Sequence, residues 1–280
     1  MEKNKLVIPV VKWVGGKRQL LQEITPLLPK QITTYCEPFL GGGAVLFSIQ
    51  PSHAIVNDLN ESLMTVYEVI RDDVETLIDS LKKHENTSEY FYTIRDIDRN
   101  KVFYQSMSKV EKASRLIYLN KTCFNGLFRV NASGEFNSPF GRYKNPNIVN
   151  ESVLRAVSNY FNSNNIAFYN EDFSETLRRV ENGGFVYLDP PYDPVSDTAC
   201  FTGYNKGGFS RNEQIRLKQC CDELTERNIK FMLSNSSTSF IKDLYQDYHI
   251  TTVQAKRSIN SNASKRGAIE EVLITNYGTE

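Results

Sequence analysis

Gly184-Phe185-Val186-Tyr187-Leu188-Asp189-Pro190-Pro191-Tyr192 is the stretch on which the reading of this chain turns. Phenylalanine, valine and tyrosine favour a strand, and two prolines in succession, without N–H groups and fixed in φ, end it abruptly. A carboxylate and an aromatic ring are left at the C-terminal edge of a strand, where open α/β sheets bind their ligands. The chemistry open to such a group is specific. An exocyclic amine on an aromatic ring is a poor nucleophile because its lone pair is delocalised. If its two N–H groups donate to the Asp189 carboxylate and the Pro190 carbonyl, the nitrogen can turn tetrahedral and aim that pair at an electrophile, while Tyr192 stacks on the ring. Geometry alone makes such an arrangement effective, since fixing two reactants removes much of a barrier. A proline-terminated strand with a capping Asp and a packing Tyr is the plain alternative, and the rest of the chain decides between them.

Outward from this strand, apolar runs recur with helical patterns between them: Ile32 to Glu37, Ala54 to Asn57, Asn165 to Tyr169, Lys230 to Leu233, His249 to Ala255 and Ile269 to Tyr277. Such alternation predicts a mainly parallel sheet covered by helices. The last two runs are joined by a polar loop, which predicts an antiparallel hairpin at one edge. Between Leu63 and Asn162 the alternation stops. Asp72 to His84, Glu89 to Arg99 and Ser108 to Asn120 read as helices, with Ser88 and Ser106 or Ser108 as caps. Phe124 to Asn137 alternates around Ser133-Gly134 and reads as a hairpin. The expected organisation is a sheet domain over residues 1–62 and 163–280 and an inserted, mainly helical domain over 63–162, too large for a crossover connection.

The 280 residues are 40% hydrophobic, enough for a sizeable core, and carry no net charge. Charge is nonetheless segregated. Residues 109–144 hold Lys109, Lys112, Arg115, Lys121, Arg129, Arg142 and Lys144 against Glu111 and Glu135, while residues 58–98 hold eleven acids against four bases. Lys256, Arg257, Lys265 and Arg266 form a second basic cluster. Two such clusters in a neutral chain suggest one basic face opposite an acidic one. The five cysteines and three histidines lack metal-ligand or disulfide spacing, which points to no metal and to a reducing compartment. The N-terminal apolar stretch, broken by Pro9 and Lys12, is too short for a signal or a membrane span.

Two glycine-bearing segments complete the inventory. Glu37-Pro38-Phe39-Leu40-Gly41-Gly42-Gly43-Ala44 lies between a strand and an apolar helix, Val45 to Ile49, where glycines permit positive φ and close approach of a ligand. The next strand ends in Asp58, placed to accept hydrogen bonds from a ribose, although spacing and glycine pattern disfavour a dinucleotide. Upstream, Lys12-Trp13-Val14-Gly15-Gly16-Lys17-Arg18 lacks the pattern of a phosphate loop. Lys17 at a helix start could meet a carboxylate, and Trp13 could cover an apolar or cationic group. Asp172-Phe173 repeats the motif of a strand followed by an acid, with a helix cap as the plain reading.

In this order the residues are recognisable: the chain resembles the Dam-type DNA adenine-N6 methyltransferases, of the alpha group and D12 class, that act at GATC. The resemblance runs from Lys12-Trp13 through Phe39-Leu40-Gly41-Gly42-Gly43, Asp58 and Asp189-Pro190-Pro191-Tyr192 to the C-terminal hairpin. Its most specific part is Asn125-Gly126-Leu127-Phe128-Arg129 with Gly134 to Tyr143, which is similar to the family's DNA-contacting hairpin. The resemblance implies a Rossmann-like methyltransferase sheet beside a smaller DNA-recognition domain. It implies S-adenosylmethionine as methyl donor, S-adenosylhomocysteine as product, and no metal. By similarity Trp13, Lys17, Asp58 and Asp189 hold the cofactor, Phe39, Gly41 and Gly43 shape its pocket, and Asp172 and Phe173 meet its adenine. The target adenine is flipped out of the duplex and gripped by Asp189, Pro190, Pro191 and Tyr192. Arg129 is suited to guanine, Asn125 to a base edge and Leu127 to a thymine methyl or a wedge in the stack; Pro139 lies near the DNA, and Arg142 and Lys144 meet phosphates.

The expected partner is double-stranded DNA, with a restriction endonuclease of the same site as an unattached counterpart if the enzyme does not work alone. A cytoplasmic monomer or weak dimer in a prokaryote or phage, away from membranes, is the corresponding setting. RNA adenine or protein glutamine methylation on the same fold, and a DNA-binding module without turnover, are the competing readings. Glutamine-modifying relatives generally carry Asn where this chain has Asp189, and neither enzyme explains the Arg129 hairpin.

Overall fold

The computed structural model describes residues 3–195, 209–256 and 268–278. Among them are the strands β1 (Tyr35–Glu37), β2 (His53–Asn57), β3 (Asn165–Tyr169), β4 (Phe185–Leu188), β5 (Lys230–Ser236), β6 (His249–Lys256) and β7 (Ala268–Thr275). They form a seven-stranded sheet in the order β3-β2-β1-β4-β5-β7-β6. The helices are α1 (Leu21–Ile24), α2 (Ala44–Ile49), α3 (Glu61–Asp72), α4 (Val74–Leu81), α5 (Ser88–Asp96), α6 (Lys101–Ser106), α7 (Lys109–Thr122), α8 (Glu151–Asn162), α9 (Phe173–Arg178), α10 (Arg211–Glu226) and α11 (Ser239–Leu244). This is the α/β class, a mainly parallel sheet with helices, that the sequence indicated.

Pairings among β2, β1, β4 and β5 are parallel, whereas β7 runs antiparallel to both β5 and β6. The hairpin expected at one edge is present. It docks through its second strand, so β7 separates β5 from β6. Strand β5 continues past Leu233 through Ser234, Asn235 and Ser236. These polar residues are buried and hydrogen-bonded, and so extend the strand instead of ending it.

Packing divides the chain into two compact units. One comprises Met1–Gly16, Gly41–Ser52 and Asp58–Asn170; the other comprises Lys17–Leu40, His53–Asn57 and Glu171–Glu280. In the second, all four residues of β4 are buried, the uniform apolar character of a central parallel strand. Val186, Leu188, Phe231, Leu233 and Ile274 share a core with Leu217, Cys221 and Leu224, which recur at helical spacing along α10.

In the first unit, α7 is the central helix, buried from Ala113 through Asn120 and started by a capping box between Ser108 and Glu111. Helix α5 is capped by Thr87, one residue before the expected Ser88. Helices α3, α6 and α8 enlarge the helical content beyond the three helices anticipated. In α3, Asn60 caps the first turn and Leu63, Met64, Val66, Tyr67, Val69 and Ile70 face inward. Phe91, Tyr118, Leu119, Cys123 and Phe136 make a further cluster that anchors the hairpin segment.

Candidate active site and nucleic-acid interface

The parallel register of β4 and β5 sets Leu188 opposite Leu233. Asp189 therefore leaves its strand beside Ser234. The Ser234 hydroxyl donates to Asp189 Oδ1 at 2.9 Å, and Lys17 Nζ lies 2.7 Å from the same oxygen. Lys17 comes from the short turn Lys17–Gln19, and its ammonium also sits 4.7 Å from the centroid of the Tyr192 ring. Burial raises the Asp189 carboxyl above its ordinary value, opposed by Lys17 and Ser234.

One oxygen is thus committed, whereas no described residue donates to Oδ2. The backbone after Asp189 shows the same division. Pro191 carbonyl accepts from Gln214 Nε2 at 2.9 Å, and the Asp193 N–H donates to Asn235 Oδ1 at 3.1 Å. No described residue donates to the Pro190 carbonyl. Tyr192 is fixed at its far end, its hydroxyl donating to Glu271 Oε2 of β7 at 2.8 Å. Two acceptors on consecutive residues, Asp189 Oδ2 and Pro190 O, thus have no donor among the described residues, and the ring of Tyr192 two residues on is oriented by Glu271.

Phe39 and Phe173 lie 5.3 Å apart by ring centroid, each 5.9 Å from Phe209. Phe173 belongs to the core of this unit, and the half-buried Phe39 and Phe209 pack against it. Asp172 caps α9 by accepting from Ser174, and both its oxygens receive Arg216 at 2.7 and 2.8 Å. Those donors hold its carboxyl well below the usual range. Asp172 thus acts as a helix cap, with its side chain 43% exposed, whereas Phe173 is buried in the core of its unit with the Arg216 guanidinium 4.1 Å over its ring.

In the other unit, the glycine-rich turn closes on Asp58. Gly41 N–H donates to Asp58 Oδ2 and Asn60 N–H to Oδ1, each at 2.9 Å, while the Tyr67 hydroxyl donates to Gly41 O at 2.8 Å. Each Asp58 oxygen keeps acceptor capacity beyond its backbone bond. Burial pushes this carboxyl up against those two bonds. Gly41 and Gly43 adopt φ of +50° and +68°, which only glycine takes without strain. A Cβ on Gly41 would come 3.1 Å from Trp13 Cδ1. Trp13 in turn stacks on Phe128, with centroids 4.9 Å apart.

The hairpin is held by bridges between Cys123 and Phe140 and between Val130 and Phe136. Between them, the turn Phe124–Gly126 carries Asn125 at φ 58°. Phe124 is tipped outward and is 55% exposed, an aromatic that the sequence reading passed over. Arg129, Pro139, Arg142 and Lys144 are exposed; Asn125 and Leu127 are half-buried. Arg129 Nε donates to Asn137 Oδ1 at 2.7 Å and Nη2 to the Asn137 carbonyl at 3.3 Å. Its Nη1 has no described partner.

The basic cluster of residues 109–144 therefore divides in two. Arg115 is internal, 2.9 Å from Asp98, which also accepts the Phe136 N–H at 2.8 Å. Lys109 pairs with Glu68 at 2.7 Å. Of the second cluster, Arg257, Lys265 and Arg266 lie outside the described residues, as does the side chain of Lys256.

Ser234 and Glu271 were not anticipated. The signal for Ser234 was available in Ser234-Asn235-Ser236-Ser237, a polar run at the end of an apolar strand. Glu271 gave none, because the sequence does not reveal that β7 lies beside β5.

Comparison with known proteins places these features in a group. Residues 13–259 match the family described as D12 class N6 adenine-specific DNA methyltransferase. A type II methyltransferase of Lactococcus lactis subsp. cremoris is 42% identical, covering 99% of both chains. Another, from Methanocaldococcus jannaschii, is 42% identical over 97% of this chain and 99% of its own. DNA adenine methylase of Escherichia coli is 33% identical over 98% of this chain and 95% of its own.

Proposed function

The chain belongs to the D12 class of N6 adenine-specific DNA methyltransferases, and from that membership we propose that it methylates the adenine of GATC through Asp189, Pro190, Pro191 and Tyr192. Site-specific methylation of adenine in DNA is its activity, and the family implies S-adenosylmethionine as donor. The observation that carries the residue assignment is the pair of acceptors, Asp189 Oδ2 and Pro190 O, to which no described residue donates.

Residues within each unit suit parts of the cofactor. Asp172 and Phe173, with the half-buried Phe39, are the proposed adenine contacts; Asp58, steadied by Gly41, suits the ribose hydroxyls. Trp13, Lys17, Gly43 and Asp189 complete the proposed set. When bound, S-adenosylmethionine supplies an electrophilic methyl group. The chain supplies the rest. Asp189 Oδ2 and the Pro190 carbonyl accept the two N6 hydrogens of a flipped adenine, drawing its nitrogen out of conjugation, while Tyr192 stacks on the base. Ser234 and Lys17 keep Asp189 oriented, and Glu271 does the same for Tyr192.

Residues 63–162 are the proposed recognition domain, with Asn125, Leu127, Arg129, Pro139, Arg142 and Lys144 on the DNA. Asn137 holds one edge of the Arg129 guanidinium and leaves donors for guanine O6 and N7. Arg129→Ala should relax discrimination at one site position by about 1–3 kcal/mol, read from kcat/KM on duplexes changed one base pair at a time. A uniform loss over all duplexes would make Arg129 a phosphate contact instead. Greater identity to the type II methyltransferases, 42% against 33% for DNA adenine methylase, favours protection of host DNA in the cytoplasm beside a separate endonuclease. The enzyme would act as a monomer or weak dimer.

Incubation with labelled S-adenosylmethionine and either GATC or scrambled duplex tests the whole reading; label in the scrambled duplex alone would overturn GATC. The pH dependence has a defined sign. Only the ionised Asp189 carboxylate accepts without competing as a donor, and burial raises its value. Single-turnover methyl transfer should therefore fall as pH is lowered through a point above the ordinary Asp range. Profiles flat down to that ordinary range would contradict the buried-acceptor role.

A further inference from the structure

The stacking of Trp13 on Phe128 joins two parts of the protein that the proposed function gives to different ligands. Trp13 touches the glycine turn: a Cβ on Gly41 would lie 3.1 Å from its Cδ1, and one on Gly42 would lie 3.3 Å from its Cβ. Gly41 is itself bonded to Asp58 and Tyr67. On its other side, Trp13 meets Phe128 at 4.9 Å, with an interplanar angle of 25°. Phe128 stands between Leu127 and Arg129 in the hairpin and packs on Phe136 at 5.7 Å, whose N–H is held by Asp98.

A second connection runs alongside. Asn120 accepts the Lys12 N–H and donates to the Lys12 carbonyl, both at 2.8 Å, and donates to Gly126 O at 3.1 Å. The segment carrying Trp13 and the turn leading into the hairpin are therefore fastened to one buried side chain. Asn120 keeps the two segments in register, and the Trp13–Phe128 stack lies between the same two segments.

We propose that Trp13 is a positioning residue that makes cofactor binding at the Gly41–Asp58 turn and DNA binding at the Arg129 hairpin cooperative, by way of Phe128. This inference rests on the ligand assignments of the proposed function. Filling the glycine turn restrains Gly41, and with it the indole; the indole fixes the Phe128 ring, and the hairpin is pre-set for the duplex. Linkage requires the effect to be reciprocal.

Trp13 is the single tryptophan of the chain, so its emission reports this contact directly. Fluorescein-labelled GATC duplex is titrated with the full-length protein, with and without saturating S-adenosylhomocysteine, and S-adenosylhomocysteine is titrated with and without duplex. In the unsubstituted protein each ligand should tighten the other by about tenfold, within the usual range of such coupling, and each should change Trp13 emission. In Phe128→Ala, and in the milder Phe128→Leu if the first fails to fold, the factor should fall toward one. S-adenosylhomocysteine should still change Trp13 emission there, whereas duplex should not. A factor of one in the unsubstituted protein, or an undiminished factor in the variants, overturns the inference. Failure of S-adenosylhomocysteine or of duplex to bind at all would instead overturn the ligand assignments beneath it.

Discussion

Asp189→Ala should slow single-turnover methyl transfer to a GATC duplex by about 10³-fold or more, while duplex binding stays measurable. The substitution removes Oδ2, one of the two acceptors with no described protein donor. It leaves the Arg129 hairpin untouched. The Pro190 carbonyl alone can hold one N6 hydrogen but cannot fix the orientation of the amine. Asp189→Asn should lose nearly as much: its amide must turn its oxygen toward Lys17 to meet that ammonium, which puts an NH₂ where the acceptor was. Rapid-quench transfer of labelled methyl, with anisotropy for duplex affinity, separates the two readouts. Activity within about tenfold of the unsubstituted enzyme would be incompatible with a role on the scale of a preorganised hydrogen-bond partner.

Lys17→Met should lower folding stability by about 3–5 kcal/mol, the usual effect of stripping one partner from a buried ion pair. The Lys17 and Asp189 side chains are 7% and 18% exposed, so the carboxylate left behind has little water to replace its cation. Combining Lys17→Met with Asp189→Ala should cost less than the sum of the single changes, because no unpaired charge is then left inside. Denaturant midpoints for the four proteins measure this. Additive losses would show that Lys17 and Asp189 do not stabilise one another. Lys17→Met should also shift the acidic limb of methyl transfer to higher pH, since Lys17 opposes the effect of burial on Asp189.

What the sequence disclosed follows a physical pattern. Strands β3 and β4 could be bounded to the residue because each is a short apolar run closed by polar residues or proline. Strand β5 was cut short because Ser234, Asn235 and Ser236 look like a loop until their buried partners are known. The motif residues were legible wherever chemistry depends on residue type: Asp189, Tyr192, Asp58, Arg129. Commitments made by tertiary contacts were not. Arg115 reads as one more cation in a basic run, yet Asp98 holds it inside. Asp172 reads as a strand-end acid, yet Arg216, far along the chain, takes both its oxygens. Trp13 reads as a cover for a ligand, and its contact with Phe128 depends on a fold that no local pattern specifies.

The position of β7 bears on how the enzyme is made. The carboxylate that steadies Tyr192 lies 79 residues after it, on the last strand among the described residues. Until β7 is in place, β5 is an open edge, available to any extended segment, and β6 has no neighbour. The Asp189–Lys17 pair needs no residue of β7, whereas Tyr192 is secured only once β7 supplies Glu271. Insertion of one strand therefore covers the β5 edge and fixes that ring in the same event.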